Sequence, residues 1–186
     1  MRKNFGVKTW LYPQPVLILA AYDENGVPNA MNAAWGGTSG EDTITMCISA
    51  GHKTTANFLA RKAFTVSMGS AEQLVACDYV GMVSGNKVPD KLEKAGFHTV
   101  KAEKVDAPVI QELPLCLECL VKSYDPETCI LVGQVVNVSA DESVLDGDGK
   151  VDTAKLDAIV FDPVKMTYRK LGEVAGKAFG AGAAIK

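Results

Sequence analysis

The sequence predicts a mainly β fold, in which short antiparallel strands close on one another and a few short helices are inserted. Three observations point there. Short β-rich runs joined by turn signals outnumber helical patterns. The helical patterns are confined to residues 53–95. No strand–helix alternation of the kind that builds a parallel sheet runs through the chain. With 186 residues, 47% of them hydrophobic, the chain is expected to form one domain, 1–186, around a sizeable core.

Residues 15–22 form an apolar run that reads as a strand. Asp23, Glu24, Asn25 and Gly26 follow, and Asn-Gly is the preferred pair for a tight hairpin. Residues 27–35 return as a second strand, with Pro28 at its start, where a lost N–H is tolerated. Residues 36–40 contain three glycines and read as a loop. Residues 43–49 alternate as a strand and run into a turn that opens a helix over 53–62. A strand at 63–68 and a helix at 70–80 follow, the latter with Ser70 as a candidate cap and Leu74, Cys77 and Val80 at helical spacing. A loop at 81–89 leads to a short helix at 90–95, stopped by Gly96. Strands are expected at 105–110, 115–124, 129–140 and 158–168, with a hairpin turn at 125–128. Residues 172–186, rich in Gly and Ala, have little to pack with.

The net charge is −3 and no basic stripe is present, which argues against a nucleic-acid partner. The longest apolar run is too short to span a bilayer, so a cytoplasmic protein without a membrane segment is expected. The five cysteines do not follow a disulfide scaffold. Cys116 and Cys119 match C-x-x-C, but residues three apart on a strand face opposite sides, and no second pair completes a zinc set. Residues 146–152 carry the Asp/Gly pattern of a calcium loop, with Lys150 at the fifth position where an oxygen ligand is needed, and read as a solvated turn. No metal is expected. Neither G-x-G-x-x-G nor a Walker motif is present, and no G-x-S-x-G with a matching histidine supports a hydrolase.

The turn at residues 49–57 carries the strongest chemistry. Helix N-termini hold unpaired N–H groups and partial positive charge, and here Lys53 adds a full charge while Thr54 and Thr55 add hydroxyls. That set suits an anion. The same stretch also reads as an ordinary helix start, capped by Thr54 or Thr55. Two further polar stretches, 29–35 and 82–91, could meet it around one ligand.

In order, these stretches are Pro28-Asn-Ala-Met-Asn-Ala-Ala-Trp35, His52-Lys-Thr-x-x-Asn57, Val83-Ser-Gly85, Asp90-Lys91 and Glu118-Cys119. The set resembles the flavin-reductase-like FMN-binding split-barrel family, flavoredoxin-type proteins in particular, over residues 15–172. The resemblance implies a six-stranded antiparallel Greek-key split β-barrel, a homodimer, and FMN as cofactor. It implies that Asn29, Met31, Asn32, Ala33 and Trp35 line the flavin ring. It assigns Ser49, Gly51, His52, Lys53, Thr54, Thr55 and Asn57 to the ribityl chain and phosphate, and Ser84, Gly85 and Lys91 to closing the site. Many relatives have Arg at position 53; lysine is a point charge without a bidentate fork, which lowers the expected phosphate affinity. The implied function is that of an FMN-binding oxidoreductase or electron carrier, with NAD(P)H or a redox protein as partner and no catalytic acid–base residue assigned. The alternative is a non-catalytic flavin-binding or sensor protein on the same barrel.

Overall fold

The computed structural model describes residues 1–185; Lys186, the end of the Gly/Ala-rich segment, lies outside the described residues. After the two-residue strand β1 (Gln14–Pro15), the chain enters β2 (Leu17–Tyr22), whose first five residues are all buried. Strands buried on both faces read as continuous apolar runs, and β2 has a core on each side. Leu17, Leu19 and Ala21 face the barrel interior with Met46, Phe58, Phe64 and Leu131. Ile18 and Ala20 face a second core with Val80, Phe97, Ile110 and Ile159.

β2 turns back into β3 (Pro28–Ala33), pairing from Tyr22↔Pro28 to Leu17↔Ala33. The turn is a five-residue loop, wider than a two-residue hairpin. Asp23 closes it by accepting the N–H groups of Asn25 and Val27, and Gly26 supplies a φ of +81°. The expected loop at 36–40 begins as a strand, β4 (Gly36–Thr38), paired with β5 (Thr43–Cys47). Gly36 is there for contact: a Cβ would stand 2.4 Å from Met46 Cγ.

The helix α1 (Lys53–Arg61) ends at Lys62 in a left-handed conformation, then come β6 (Ala63–Met68) and α2 (Leu74–Met82). α2 starts four residues later than Ser70 suggests; the Ser70 hydroxyl closes the preceding turn by accepting from Gln73 N–H. α3 (Lys91–Lys94) stops before Gly96, whose φ is +75°. Two short strands, β7 (Thr99–Lys101) and β8 (Pro108–Ile110), form a ribbon where one longer strand at 105–110 was expected.

The long strands β9 (Leu115–Asp125) and β10 (Ile130–Ala140) form the main hairpin, with Asp125 capping its turn. α4 (Thr153–Leu156) leads to β11 (Ile159–Asp162) and β12 (Thr167–Lys170). These two are a hairpin, not one strand over 158–168: Asp162 accepts the N–H groups of Val164 and Lys165 and turns the chain.

The main sheet is antiparallel throughout, in the order β3-β2-β6-β9-β10-β5-β4. Its margins, β3 and β4, are separated only by Ala34 and Trp35, and Trp35 C=O already accepts from Cys47 N–H. One bent stretch therefore serves both margins, and the sheet curls into a split barrel of seven strands, one more than the six expected, because the bend at residues 34–35 divides that stretch into β3 and β4. β9 sends Cys119 into the barrel core and leaves Cys116 on the opposite side of the strand. Burial raises both thiols, that of Cys119 to about 12. Residues 1–13 and 171–183 are exposed along their length. No helix among the described residues is long and apolar enough to cross a membrane.

Candidate flavin site

Three elements converge beside β3. That strand is a margin of the sheet, so its outer N–H and C=O groups have no strand partner. The N-terminus of α1 and the C-terminal end of α2, with its following loop, face the same margin. Between them lies a cavity of about 240 Å³. It brings together Asn29, Met31, Asn32, His52, Lys53, Thr54, Ser84, Gly85 and Lys91.

His52 occupies the N-cap position of α1 with no side-chain cap bond, so neither Thr54 nor Thr55 acts as the cap. The N–H groups of Lys53 and Thr54 have no partner among the described residues. The threonines sit inside the first turn instead. Thr54, buried, accepts from Asn29 Nδ2 at 2.6 Å, which leaves its own hydroxyl proton uncommitted. Thr55 donates to Ser49 C=O at 2.8 Å and holds the turn. Asn57 Nδ2 donates to Ala21 C=O at 3.2 Å and holds α1 on β2. Lys53 Nζ lies 3.4 Å from Asp23 Oδ2. The Val27 N–H first, then the Asn25 N–H and the Lys53 ammonium, hold the Asp23 carboxyl below its ordinary value.

Lys91 is the other cation. Its side chain is buried, and Nζ donates to the C=O groups of Val80 and Val83 at 3.0 and 3.1 Å. An ammonium group has three donors, so one remains, and its charge sits favourably at the negative end of α2. Burial pulls its pKa down to about 8. His52 is held below its ordinary value by partial burial and then by the Lys91 charge. Gly85 lets the loop close against β3: a Cβ would lie 2.2 Å from Asn29 Oδ1. Gly81 does the same for α2, where a Cβ would meet Asn32 Cβ at 2.8 Å.

Six of the fifteen sequence candidates do not line this cavity. Ala33 is buried in the barrel core. Trp35, 61% exposed, lies beyond the bend and lines a separate hollow with Leu11 and Gly36. Ser49 and Gly51 are exposed in the turn, and Thr55 and Asn57 carry the supporting bonds above. Sequence reasoning missed Val80 and Gly81; Met82 and Val83 lie in the candidate stretch 82–91 but were given no role of their own. Val80 reads as an apolar helix position and Gly81 as the start of a loop, whereas α2 runs on to Met82; their one signal is that they lead straight into the candidate stretch.

The cavity is cationic and rich in donors at the α1 end and flanked by unpaired backbone along β3. That arrangement takes an elongated ligand with an anionic group at one end. A protein-family model described as flavin reductase like domain matches residues 9–155.

The chain belongs to that family.

Solved structures agree. The chain is similar to flavoredoxin of Desulfovibrio vulgaris (Miyazaki F), with 35% identity, a TM-score of 0.93, and 98% of this chain and 100% of that one covered. It is similar to flavoredoxin from Methanosarcina acetivorans, with 25% identity and a TM-score of 0.88 over the whole of both chains. An FMN-binding domain of a flavin reductases-like enzyme from Shewanella baltica OS155 shares the fold, with 19% identity, a TM-score of 0.77, and 88% and 89% covered. No curated protein matches. The family's split barrel is the fold described above, and its flavin-linked redox chemistry makes this chain a flavin-related oxidoreductase.

The residues present fit FMN. Two free N–H groups, the Thr54 hydroxyl, Lys53 and Lys91 form a donor set for a phosphate. Gly85, Gly81 and the bare margin of β3 let backbone approach a flat ring.

Proposed function

We propose that this chain is an FMN-dependent oxidoreductase of flavoredoxin type, a single domain working as a cytoplasmic homodimer, with NAD(P)H or a redox protein exchanging electrons with it. The observation that carries the reading is the cavity at β3, where an uncapped helix start, two lysines and an unpaired sheet margin meet. FMN bound there supplies reversible one- and two-electron chemistry.

The chain's own residues bind and orient. Thr54, held by Asn29, and Lys53 take the phosphate end with the first N–H groups of α1. Lys91 keeps a proton on Nζ at the cavity wall and fixes the α2 terminus against the ligand. Met31, Asn32 and the margin of β3 take the ring, and Trp35 extends that surface beyond the bend. Ser84 and Gly85 close the loop over it. The exposed apolar side chains at both termini, among them Phe5, Val7, Leu11, Val174 and Phe179, support a second copy as the surface that covers them.

The test is anaerobic reduction of the FMN-loaded protein by NADH and by NADPH, followed at the flavin absorbance. Bleaching by either nucleotide is expected. Bleaching by neither, with a chemical reductant still effective, points to a redox-protein donor or to a flavin-binding protein without turnover. A protein that takes up no FMN sinks the reading.

A further inference from the structure

The turn between β2 and β3 carries a carboxylate that the cavity does not include but that one cavity residue reaches. Asp23 Oδ1 accepts from the N–H groups of Asn25 and Val27, both at 2.9 Å, which fixes the carboxylate in its turn. The turn is in turn pinned to α1. Arg61 Nε donates to Asp23 C=O at 2.8 Å and Nη2 to Glu24 C=O at 3.0 Å, while Nη1 pairs with Asp106 at 3.1 Å, so the guanidinium charge is answered there. The second oxygen of Asp23, Oδ2, is left to Lys53, whose Nζ lies 3.4 Å away. Among the described residues no other cation pairs with Asp23.

Lys53 lines the flavin cavity and Asp23 does not. The lysine stem runs past Gly85, where a Cβ would lie 3.3 Å from Lys53 Cγ. The side chain thus links the cavity wall to an anion that is held by two backbone N–H groups and cannot follow it. The Asp23 carboxyl is only 14% exposed, and its bonds keep it ionised. Lys91, by contrast, bonds only the C=O groups of Val80 and Val83 and has no acid partner. The anion end of the cavity therefore holds two cations but only one uncompensated positive charge. A phosphate oxygen bonded to Lys53 Nζ at about 3 Å lies within about 6.5 Å of Asp23 Oδ2, well inside the screening length at physiological salt, and like charges at that range repel.

Building on the FMN reading, we propose that Asp23 is a selectivity-determining residue of this site: by pairing with Lys53 from a fixed turn it offsets that lysine's charge and narrows the preference for FMN over uncharged riboflavin. Asp23 touches no ligand and acts through Lys53, so it is a positioning residue. The same pairing makes Lys53 harder to replace, because without the ammonium the carboxylate stands unanswered near the phosphate.

The experiment is a fluorescence titration of the flavin-free protein with FMN and with riboflavin, at low salt and at about 1 M salt, for the unsubstituted chain and for Asp23→Asn. Asparagine keeps an oxygen for the N–H groups of the turn and removes the charge. At low salt Asp23→Asn is expected to bind FMN about five- to tenfold more tightly and riboflavin within about twofold of the unsubstituted chain. At about 1 M salt, where the screening length falls to about 3 Å, the gain for FMN should largely vanish. Weaker FMN binding, an equal change for both flavins, or a gain that survives salt each overturns the proposal. Urea unfolding is measured for the variant; if it does not fold, Asp23→Ser, a second uncharged turn residue, is read in the same way. Failure of both to fold would show that Asp23 serves the turn alone and also overturns the proposal. The unsubstituted chain separates the two readings: no FMN uptake ends the cofactor reading and this role with it, whereas FMN uptake with an unshifted preference in the variants ends only the role of Asp23.

Discussion

Two helices of this chain begin in opposite ways. At α4, Asp152 occupies the N-cap and its carboxylate accepts from Ala154 and Lys155 N–H, so the first turn satisfies itself. At α1 the N-cap is His52, whose side chain makes no such bond, and the first N–H groups look into a cavity. A side-chain cap contributes about 1 kcal/mol, and α1 does without it although hydroxyl residues stand two and three positions further on. Thr54 and Thr55 are spent on Asn29 and Ser49 instead. The difference separates a helix start that satisfies itself from one left open onto a cavity, as the proposed phosphate site requires.

The strongest way to break the contrast is to remove the groups around the open end. Lys53→Ala combined with Thr54→Ala should weaken FMN by roughly a hundredfold, about 3 kcal/mol, and riboflavin by only a few-fold. Fluorescence titration with both flavins checks this; equal weakening would show that α1 does not face the phosphate. A gentler route makes α1 resemble α4. In His52→Asp the new carboxylate should take the free N–H groups and repel phosphate. FMN should bind about tenfold more weakly while the fold gains on the order of 0.5–1 kcal/mol in urea unfolding. A variant that loses stability and keeps FMN would contradict the assignment.

Alkali sharpens the same point. Lys91 loses its charge as pH rises through about 8, so FMN should weaken several-fold between pH 7 and 9.5, with riboflavin nearly unaffected. Unfolding does not explain such a loss. Because the folded pKa lies below the ordinary 10.5, the unfolded chain binds more protons from about pH 8 upward, and Lys91 adds stability as pH rises across that window. A flat FMN profile would place Lys91 away from the anion. The smallest effect is expected at the closed helix start. Asp152→Ala should cost about 1 kcal/mol in thermal unfolding and leave FMN affinity unchanged.

The strands β2, β3, β9 and β10 and the helix α1 were legible because apolar periodicity and turn residues agree there. β4 was not, since its first two residues are glycines whose pairing lies in backbone contacts. The reversal between β11 and β12 was hidden because Asp162 makes the turn with its side chain and without an Asn-Gly pair. At the site, polar residues around Asn29, Lys53 and Lys91 stood out from the text alone. Trp35 was read together with its neighbours in sequence, and the bend at residues 34–35 carries it to another hollow. Gly81 was invisible because what matters is how closely α2 approaches Asn32.

The bent strand that forms both margins of the barrel makes its joint intolerant of any change in length. Adding or removing one residue between Ala33 and Gly36 would invert the inside–outside order of every stave position beyond it. Glycine 36 would no longer meet Met46, the seam would fall out of step with β5, and the cofactor ledge would be displaced from the wall that seats it. The count of two residues at that corner is thus as much a part of the site as any side chain lining it.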